Sequence, residues 1–334
     1  MEKFLSTVPG LKYPTGRKDF LKTGHGFIEG RRIDDGAEGL WRIRNGLYDL
    51  GKWVKIHPGG SEWLTLTKGT DITEAFETHH LTDKAEILLP NFYVRDAVTP
   101  RSVPLTFFPD GFYQQFKRRA TNALKDVDFH RPAKQTNIIA DCLAATTIFS
   151  CLLATRFWIP TLIAGVFLAW TSTAGHNYLH ARDNFRMYYM DLSFLSTREW
   201  RITHVMSHHM YTNTIWDHEI YALEPLFQWL PTKNKSRFRG YISGLITPLV
   251  YTLASLAQGF KRYYLAFCVW KKVEFRDFVP FIPPILMYLV APTLATAIKT
   301  WMSIILLSSV VFHFVGFNAG HHHPDIFHDG DICR

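Results

Sequence analysis

The chain changes character near residue 136. Up to Thr136 the apolar positions come in short stretches, mixed with charge and punctuated by glycine, as in a water-facing globular domain. Beyond it, long uncharged runs take over. Asn137 to Thr155 carries one charge, Asp141, and Phe157 to Gly175 carries none, with Arg156 between them. Phe278 to Ile298 and Thr300 to Asn318 are also free of charge, separated by Lys299. Each run is about 19–21 residues, enough for a helix to cross a hydrocarbon core of ~30 Å. The pattern predicts two helical hairpins, four spanning helices in all. A fifth uncharged run, Tyr241 to Phe260, contains Gly244, Pro248 and several Ser/Thr, and ends at Lys261-Arg262. It is expected to lie in the membrane interface or to be re-entrant. Read as a full span, it would put Asn318 and the histidines after it on the side opposite His209.

The bulk composition hides this contrast, since the mean hydropathy is −0.04. With 47% hydrophobic and 20% charged residues, the chain is neither disordered nor collagen-like. Four cysteines (Cys142, Cys151, Cys268, Cys333) form no CxxC pair and are too few for a disulfide-stapled scaffold, which suits a reducing compartment. The net charge of +8 comes without a run of five Lys/Arg and without zinc-finger spacing. The basic residues flank apolar segments, so the charge points to a membrane surface and not to nucleic acid. Most Lys/Arg fall on the expected cytosolic flanks of the hairpins. Met1 to Gly39 is polar and holds no apolar core of the signal-peptide kind, which predicts a cytosolic N-terminus.

Two sets of histidines carry the chemistry. The first is His57-Pro58-Gly59-Gly60, followed by Asp71-Ile72-Thr73-Glu74-Ala75-Phe76-Glu77-Thr78-His79-His80. A haem iron held by two neutral imidazoles needs histidines from opposite sides of an apolar pocket. Pro58 fixes the chain direction after the first, and two glycines let the backbone pass close to a flat macrocycle. Trp63, Leu64, Phe76 and Leu88 are candidates for the pocket wall. The second set is His176 and His180 at the end of an apolar run, then His204, His208 and His209. Spacing of i, i+4 stacks two imidazoles on one helical face, and imidazoles suit iron, copper, nickel or zinc. Asp183, Asp217 and Glu219 are candidates to orient those rings.

The first set resembles the cytochrome b5 family. The match runs from Leu47-Tyr48-Asp49-Leu50 through HPGG to Asp71–Phe76 and Thr82-Asp83-Lys84-Ala85, about 55 residues. The resemblance implies an α+β haem domain binding haem b, with His57 as one axial ligand and His79 or His80 as the other. Family spacing, four residues after the Phe, selects His80.

The second set resembles the membrane fatty acid desaturase family and its hydroxylase relatives, whose cytosolic di-iron site is built from three histidine boxes on a four-helix membrane domain. His176 and His180 match the first box; His204, His208 and His209 match the second. A haem domain fused ahead of the boxes resembles the front-end desaturases and, more closely, the insect cytochrome b5-related proteins. The third box departs from the family. Asn318-Ala319-Gly320-His321-His322-His323 has Asn where the family has His or Gln, and lacks the Leu/Met-Phe-Pro that follows. Either this is a modified third box, or Asn318 and His321 match ligands at the end of the last helix and the true box lies beyond Arg334. The implied metal ligands are thus His176, His180, His204, His208, His209, Asn318, His321 and His322. His313, inside the last run, is expected to face a bundle interior or a neighbour.

The implied organisation is an extension at 1–39, a haem domain at 40–97, a linker at 98–136 and an all-α membrane domain at 137–334. The implied activity is a desaturase-type oxidoreductase of the endoplasmic reticulum membrane, both termini cytosolic, acting on a fatty acyl lipid or acyl-CoA. An NAD(P)H-dependent cytochrome b5 reductase would supply electrons. Spacing does not separate a desaturase from a lipid hydroxylase on the same scaffold, and the altered third box leaves open a membrane-anchored haem electron carrier.

Overall fold

The computed structural model describes residues 15–16, 18–103, 105, 107–128, 131–223 and 237–319, without the side chains of 237, 239 and 317–319. In chain order the elements are α1 (Gly24–Asp34), β1 (Trp41–Ile43), β2 (Gly46–Tyr48), α2 (Ser61–Leu66), α3 (Thr73–His79), α4 (Lys84–Leu88), β3 (Tyr93–Asp96) and α5 (Phe112–Ala123). Then come α6 (Lys134–Ala154), α7 (Ile159–Leu179), α8 (Thr197–Trp200), a π-helix (Arg201–His208), α9 (His218–Tyr221), α10 (Arg237–Tyr264), α11 (Ile282–Val290) and α12 (Leu294–Ala319). The described residues fall into two compact units. One takes residues up to 131 and returns at 202–223; the other takes 132–201 and 237–319.

The first unit contains a small antiparallel sheet in the order β1-β2-β3, with Trp41 opposite Tyr48 and Leu47 opposite Arg95. Trp41, Ile43, Leu50, Leu64, Ile72, Phe76 and Leu89 pack under it as a core. The Trp41 indole N–H, which burial would otherwise strand, donates to the Leu64 carbonyl at 2.9 Å. Arg44 donates to Glu77 and Glu86, and Arg101 donates to Asp71 and Glu74, tying strands and α3 together.

In the second unit α6 and α7 form a hairpin, and α12 packs on α7 and α10. The core here is formed by Cys151, Ala154, Ala164, Leu168, Leu192, Met287, Ala297, Trp301, Ile304 and Ile305. Small residues on α6 and α7 let the two backbones approach closely. Thr147 and Thr171 hydrogen-bond across them at 2.9 Å. Arg262 of α10 is fully buried and donates to Asp277 at 3.0 Å, Asp191 at 2.7 Å and the Leu195 carbonyl at 2.9 Å.

The predicted pattern of spans needs correction. Among the described residues three helices are long and apolar enough to cross a membrane: Lys134–Ala154, Gly240–Val269 and Leu294–Gly316. Helix α7, on the predicted run Phe157–Gly175, is not one of them, its apolar stretch being diluted by Trp170 to Thr173 and His176. The run 278–298 does not make a spanning helix. Its helix α11 stops at Val290, and Ala291-Pro292-Thr293 intervenes before α12 starts. Pro292 cannot donate to a helical ladder and pushes Ala291 into extended backbone. The span starts later and carries Lys299 within it. Tyr241–Phe260, expected to lie in the interface, sits instead inside a 28-residue helix that accommodates Pro248. Thr252 caps the Pro248 carbonyl at 2.7 Å, and only 11% of the apolar window is covered by protein.

Candidate functional site

The haem module brings His57 and His80 together. A 3-10 turn, Val54–Ile56, delivers His57 in extended backbone, and Gly60 then turns the chain into α2 with a φ of 111°. That is a left-handed geometry natural to glycine. A side chain at Gly59 would stand 2.8 Å from the His57 ring, so glycine there is what lets the ring hold its place. His80 directly follows α3. Each ring fixes its tautomer through a backbone carbonyl: His57 Nδ1–H donates to Gly60 at 2.9 Å and His80 Nδ1–H to Phe76 at 2.9 Å. In that tautomer Nε2 carries no proton, which is the form able to bind a metal. An imidazole–metal bond is about 2 Å and the ring centroid stands about 1 Å behind its nitrogen, so one metal between two imidazoles holds their centroids about 6 Å apart. The His57 and His80 centroids are 6.3 Å apart. His79 is exposed and packs on Trp63 at 5.3 Å instead. Burial lowers the pKa of His80, favouring a neutral ring.

In the second unit, His176 and His180 lie one turn apart at the end of α7. Their Nε2 atoms are 3.1 Å apart and their ring centroids 4.8 Å. Trp200 packs edge-on against His176 at 5.8 Å.

The second histidine box, in the first unit, is built on a π-helix, not the α-helix its spacing suggests. The backbone N–H of His209 reaches the carbonyl of His204, an i→i−5 bond of 2.9 Å. The wider turn brings i+4 and i+5 onto the face of residue i. His204 and His208 stack with centroids 5.4 Å apart, and His209 sets its Nε2 2.9 Å from that of His204. One ligand atom from each lies within 4.8 Å of the others, close enough for three ligands of one metal. Single-turn π segments recur where side chains must converge in this way.

Carboxylates stand behind two of these rings. His204 Nδ1 is 2.7 Å from Glu219, and His208 Nδ1 is 2.8 Å from Asp217. Asp217 also caps α9 by accepting from the Glu219 N–H, so the short helix holds both carboxylates in register. Burial works to lower the His208 pKa, yet the Asp217 hydrogen bond and the Glu219 charge outweigh it and the net shift is upward. A carboxylate on Nδ1 orients an imidazole and makes Nε2 a stronger donor. Asp183, the third candidate, pairs with Arg201 at 2.8 Å in the second unit and touches no box histidine among its described contacts.

Sequence reasoning missed the device that carries α1 into this unit. Arg31 of α1 is buried, and donates to Asp35 at 2.8 Å, to the Asp71 carbonyl at 2.8 Å and to the Tyr211 hydroxyl at 2.9 Å. Its guanidinium lies 5.2 Å from the Tyr211 ring and 4.9 Å from the Trp216 ring. Tyr211 donates in turn to Glu74 at 3.2 Å. Arg31 thus joins the haem module to the segment that follows the second box. Beside it, Thr78 of α3 touches Met210, next to His209, at 3.5 Å. No motif marks Arg31. Its signal was only a charge on a helix too short of apolar residues to stand alone.

The remaining candidates lie elsewhere. His313 is buried in α12 and bonds the Ser309 carbonyl at 2.8 Å. Asn318 falls in the last turns of α12, with its side chain outside the described residues, and His321 and His322 also lie outside them.

Residues 31–98 match the family described as cytochrome b5-like heme/steroid binding domain, so the chain carries a haem-binding module of that type. Across its whole length it is 38% identical to a cytochrome b5-related protein of Drosophila melanogaster, 78% of which is covered. A cytochrome b5-related protein of Drosophila virilis is 45% identical over 130 residues, which is 39% of this chain and 90% of the relative. An acyl-lipid (8-3)-desaturase of Mortierella alpina is 24% identical over 61% of the chain and 52% of its own length, so the chain spans about half of that enzyme. No solved structure matches the chain. With a 38% identical relative covered over most of its length, and a haem module at the position the motifs imply, this chain belongs to the family of cytochrome b5-related proteins.

Proposed function

We propose that the chain is a membrane-bound oxidoreductase of the endoplasmic reticulum that desaturates a fatty acyl chain, fed by its own haem module. His57 and His80 would hold haem b. His176 and His180 with His204, His208 and His209 would supply ligands to a di-iron centre, with Asn318, His321 and His322 as further candidates. The observation that carries the reading is the second box, where three imidazoles converge and two have a carboxylate on the far nitrogen. Solvated loop histidines have no need of that arrangement. The desaturase relatives support an acyl lipid or acyl-CoA as substrate, and an NAD(P)H-dependent cytochrome b5 reductase is the electron donor consistent with a haem module.

Haem, when bound, supplies one-electron carriage, and non-haem iron supplies activation of O₂ toward an unactivated C–H bond. The chain's own residues prepare those sites. Gly60 and Phe76 carbonyls hold His57 and His80 in the Nδ1–H tautomer. Glu219 and Asp217 do the same for His204 and His208 while adding negative charge. Tethering the haem module to the box segment raises its effective concentration there without a diffusive encounter.

The test is the ratio of non-haem iron to haem in detergent-purified full-length protein, followed by product analysis on an isotope-labelled acyl lipid with reductase, NADH and O₂. About two irons per haem and a new double bond are expected. A hydroxylated product would reassign the reaction within the same scaffold. Haem at full loading with iron near zero and no product would overturn the enzyme and leave a haem carrier on a membrane anchor.

A further inference from the structure

Helix α5, between the haem module and the first long apolar helix, has two faces with different fates. One face is occupied. Tyr113 donates to the Glu77 carbonyl at 3.4 Å, Gln114 to the Glu77 carboxylate at 2.8 Å, Lys117 to the same carboxylate at 3.4 Å, and Thr121 to the Leu81 carbonyl at 3.0 Å. These four positions fall on one side of the helix and seat it on the haem module beside α3. The opposite side carries Phe112, Phe116, Arg119 and Ala123, at the i, i+4, i+7, i+11 spacing of a single face. It is exposed: Phe112 is 85% and Phe116 58% accessible, and Phe108 just ahead of the helix is 66% accessible. Phe112 and Phe116 stack on each other with centroids 6.2 Å apart and planes 13° from parallel, making one apolar plate.

Three phenylalanines presented together to water cost free energy that a folded domain normally avoids unless something covers them. The residues around the plate say what kind of surface that is. Arg118, Arg119 and Lys125 border it, and no acidic residue lies between Gly111 and Lys125. Ten residues after Leu124 the chain enters Lys134–Ala154, one of the helices long and apolar enough to cross a membrane. Aromatic side chains on one helical face, cations at its borders and a span close by in the chain describe an interfacial helix. Cations at such borders favour anionic headgroups.

We propose that α5 is an interfacial anchor. Its Phe108–Phe112–Phe116 face inserts into the surface of the bilayer, with Arg118, Arg119 and Lys125 on anionic headgroups, while its other face holds the haem module through Glu77 and Leu81. The inference does not depend on the desaturase reading, since it needs neither bound iron nor an acyl substrate.

The experiment uses the full chain in lipid nanodiscs of phosphatidylcholine with or without phosphatidylserine. The four native cysteines are replaced by serine, a fluorescent label is placed through F112C, and F116C serves as a second, independent position. The haem absorption band shows that each variant is folded. The expected result is severalfold stronger quenching by lipids carrying a nitroxide near the headgroup than by aqueous iodide. Charge reversal by R118E and R119E together should lower that lipid quenching in phosphatidylserine discs and change it little in pure phosphatidylcholine. Strong iodide quenching with no lipid quenching at both positions would show a face left in water and overturn the anchor. Protection from both quenchers would show a protein surface there, another copy or another part of this chain, and would overturn it equally.

Discussion

Two pairs of histidines in the first unit solve the same problem differently. His57 and His80 each give their Nδ1 proton to a backbone carbonyl, whereas His204 and His208 each give it to a carboxylate. A carbonyl is neutral, so it fixes the tautomer and adds little charge to the ring. A carboxylate fixes the same tautomer and also pushes electron density toward Nε2. The direction of the pKa shifts follows: burial takes His80 down, while Asp217 and Glu219 bring His208 up in spite of burial. A carrier that shuttles one electron is served by neutral ligands in an apolar pocket. A centre that must hold an electron-poor metal is served by more basic ones. The surroundings thus give the two pairs of imidazoles different basicity, which is the difference the proposed division into a haem site and a non-haem iron site would call for.

The sharpest way to break the comparison is to remove a ring from each pair. His80→Ala should abolish the bis-imidazole haem spectrum, while His79→Ala leaves it in place; absorbance of the reduced protein reads this directly. His208→Ala should leave that spectrum intact and strip non-haem iron, with loss of activity, as metal analysis and product assay would show. An unchanged iron content would sink the role given to the second box.

Substituting the carboxylates tests the difference itself. Asp217→Asn preserves shape but removes the charge, and should weaken metal affinity or activity by about 10–100-fold. No neutral substitution around His57 or His80 has a carboxylate to remove, so haem affinity is untouched by the same change.

Much of this was legible in the sequence. HPGG, the EAF block and the two boxes were each readable as short-range motifs, and within each set the rings lie near one another: His57 by His80, His176 by His180, and His204 by His208 and His209. Asp217 and Glu219 were legible as carboxylates near the box, but only the cap of α9 turns them toward the rings and leaves Asp183 to Arg201. The π-helix was not legible: i, i+4 spacing is equally at home in an α-helix, and the extra residue per turn is a tertiary outcome. Nor was the break at Ala291-Pro292-Thr293, because hydropathy averaged along an uncharged run does not register a missing N–H. Pro248 misled in the other direction, since α10 is long enough to absorb it.

The joint between the two pairs is open to a stability test. Arg31→Ala leaves Asp35 buried without its guanidinium and should cost about 3–5 kcal/mol in the first unit. Thermal melts followed by haem absorbance would show it, and an unchanged midpoint would mean that the node carries no stability.

The smallest expected effect is at Glu77. Burial pushes its pKa up, but Arg44, Gln114 and Lys117 outweigh this and hold it below the ordinary value of 4.5. Its folded pKa is below its unfolded one, so its contribution is present above pH 4.5 and is lost as pH falls through the folded value. Glu77→Gln should lower stability by about 1 kcal/mol at neutral pH, modest because Arg44 is half exposed. The gap between parent and variant melting midpoints should close on acidification. A gap that persists well below pH 4 would assign the effect to packing and not to charge.

The position of Arg31 bears on how such a protein can be recombined. The short haem motifs run from Leu47 to Ala85, so a cassette cut at Leu40 would hold all of them while losing the start of the 31–98 family match. Grafted onto another enzyme, it would carry the buried acids Asp71 and Glu74 with Arg101 but without Arg31, and would meet no Tyr211 on its new host. Moving this haem module to another protein would therefore take its leading helix and Tyr211 along with it, or lose the seat between them.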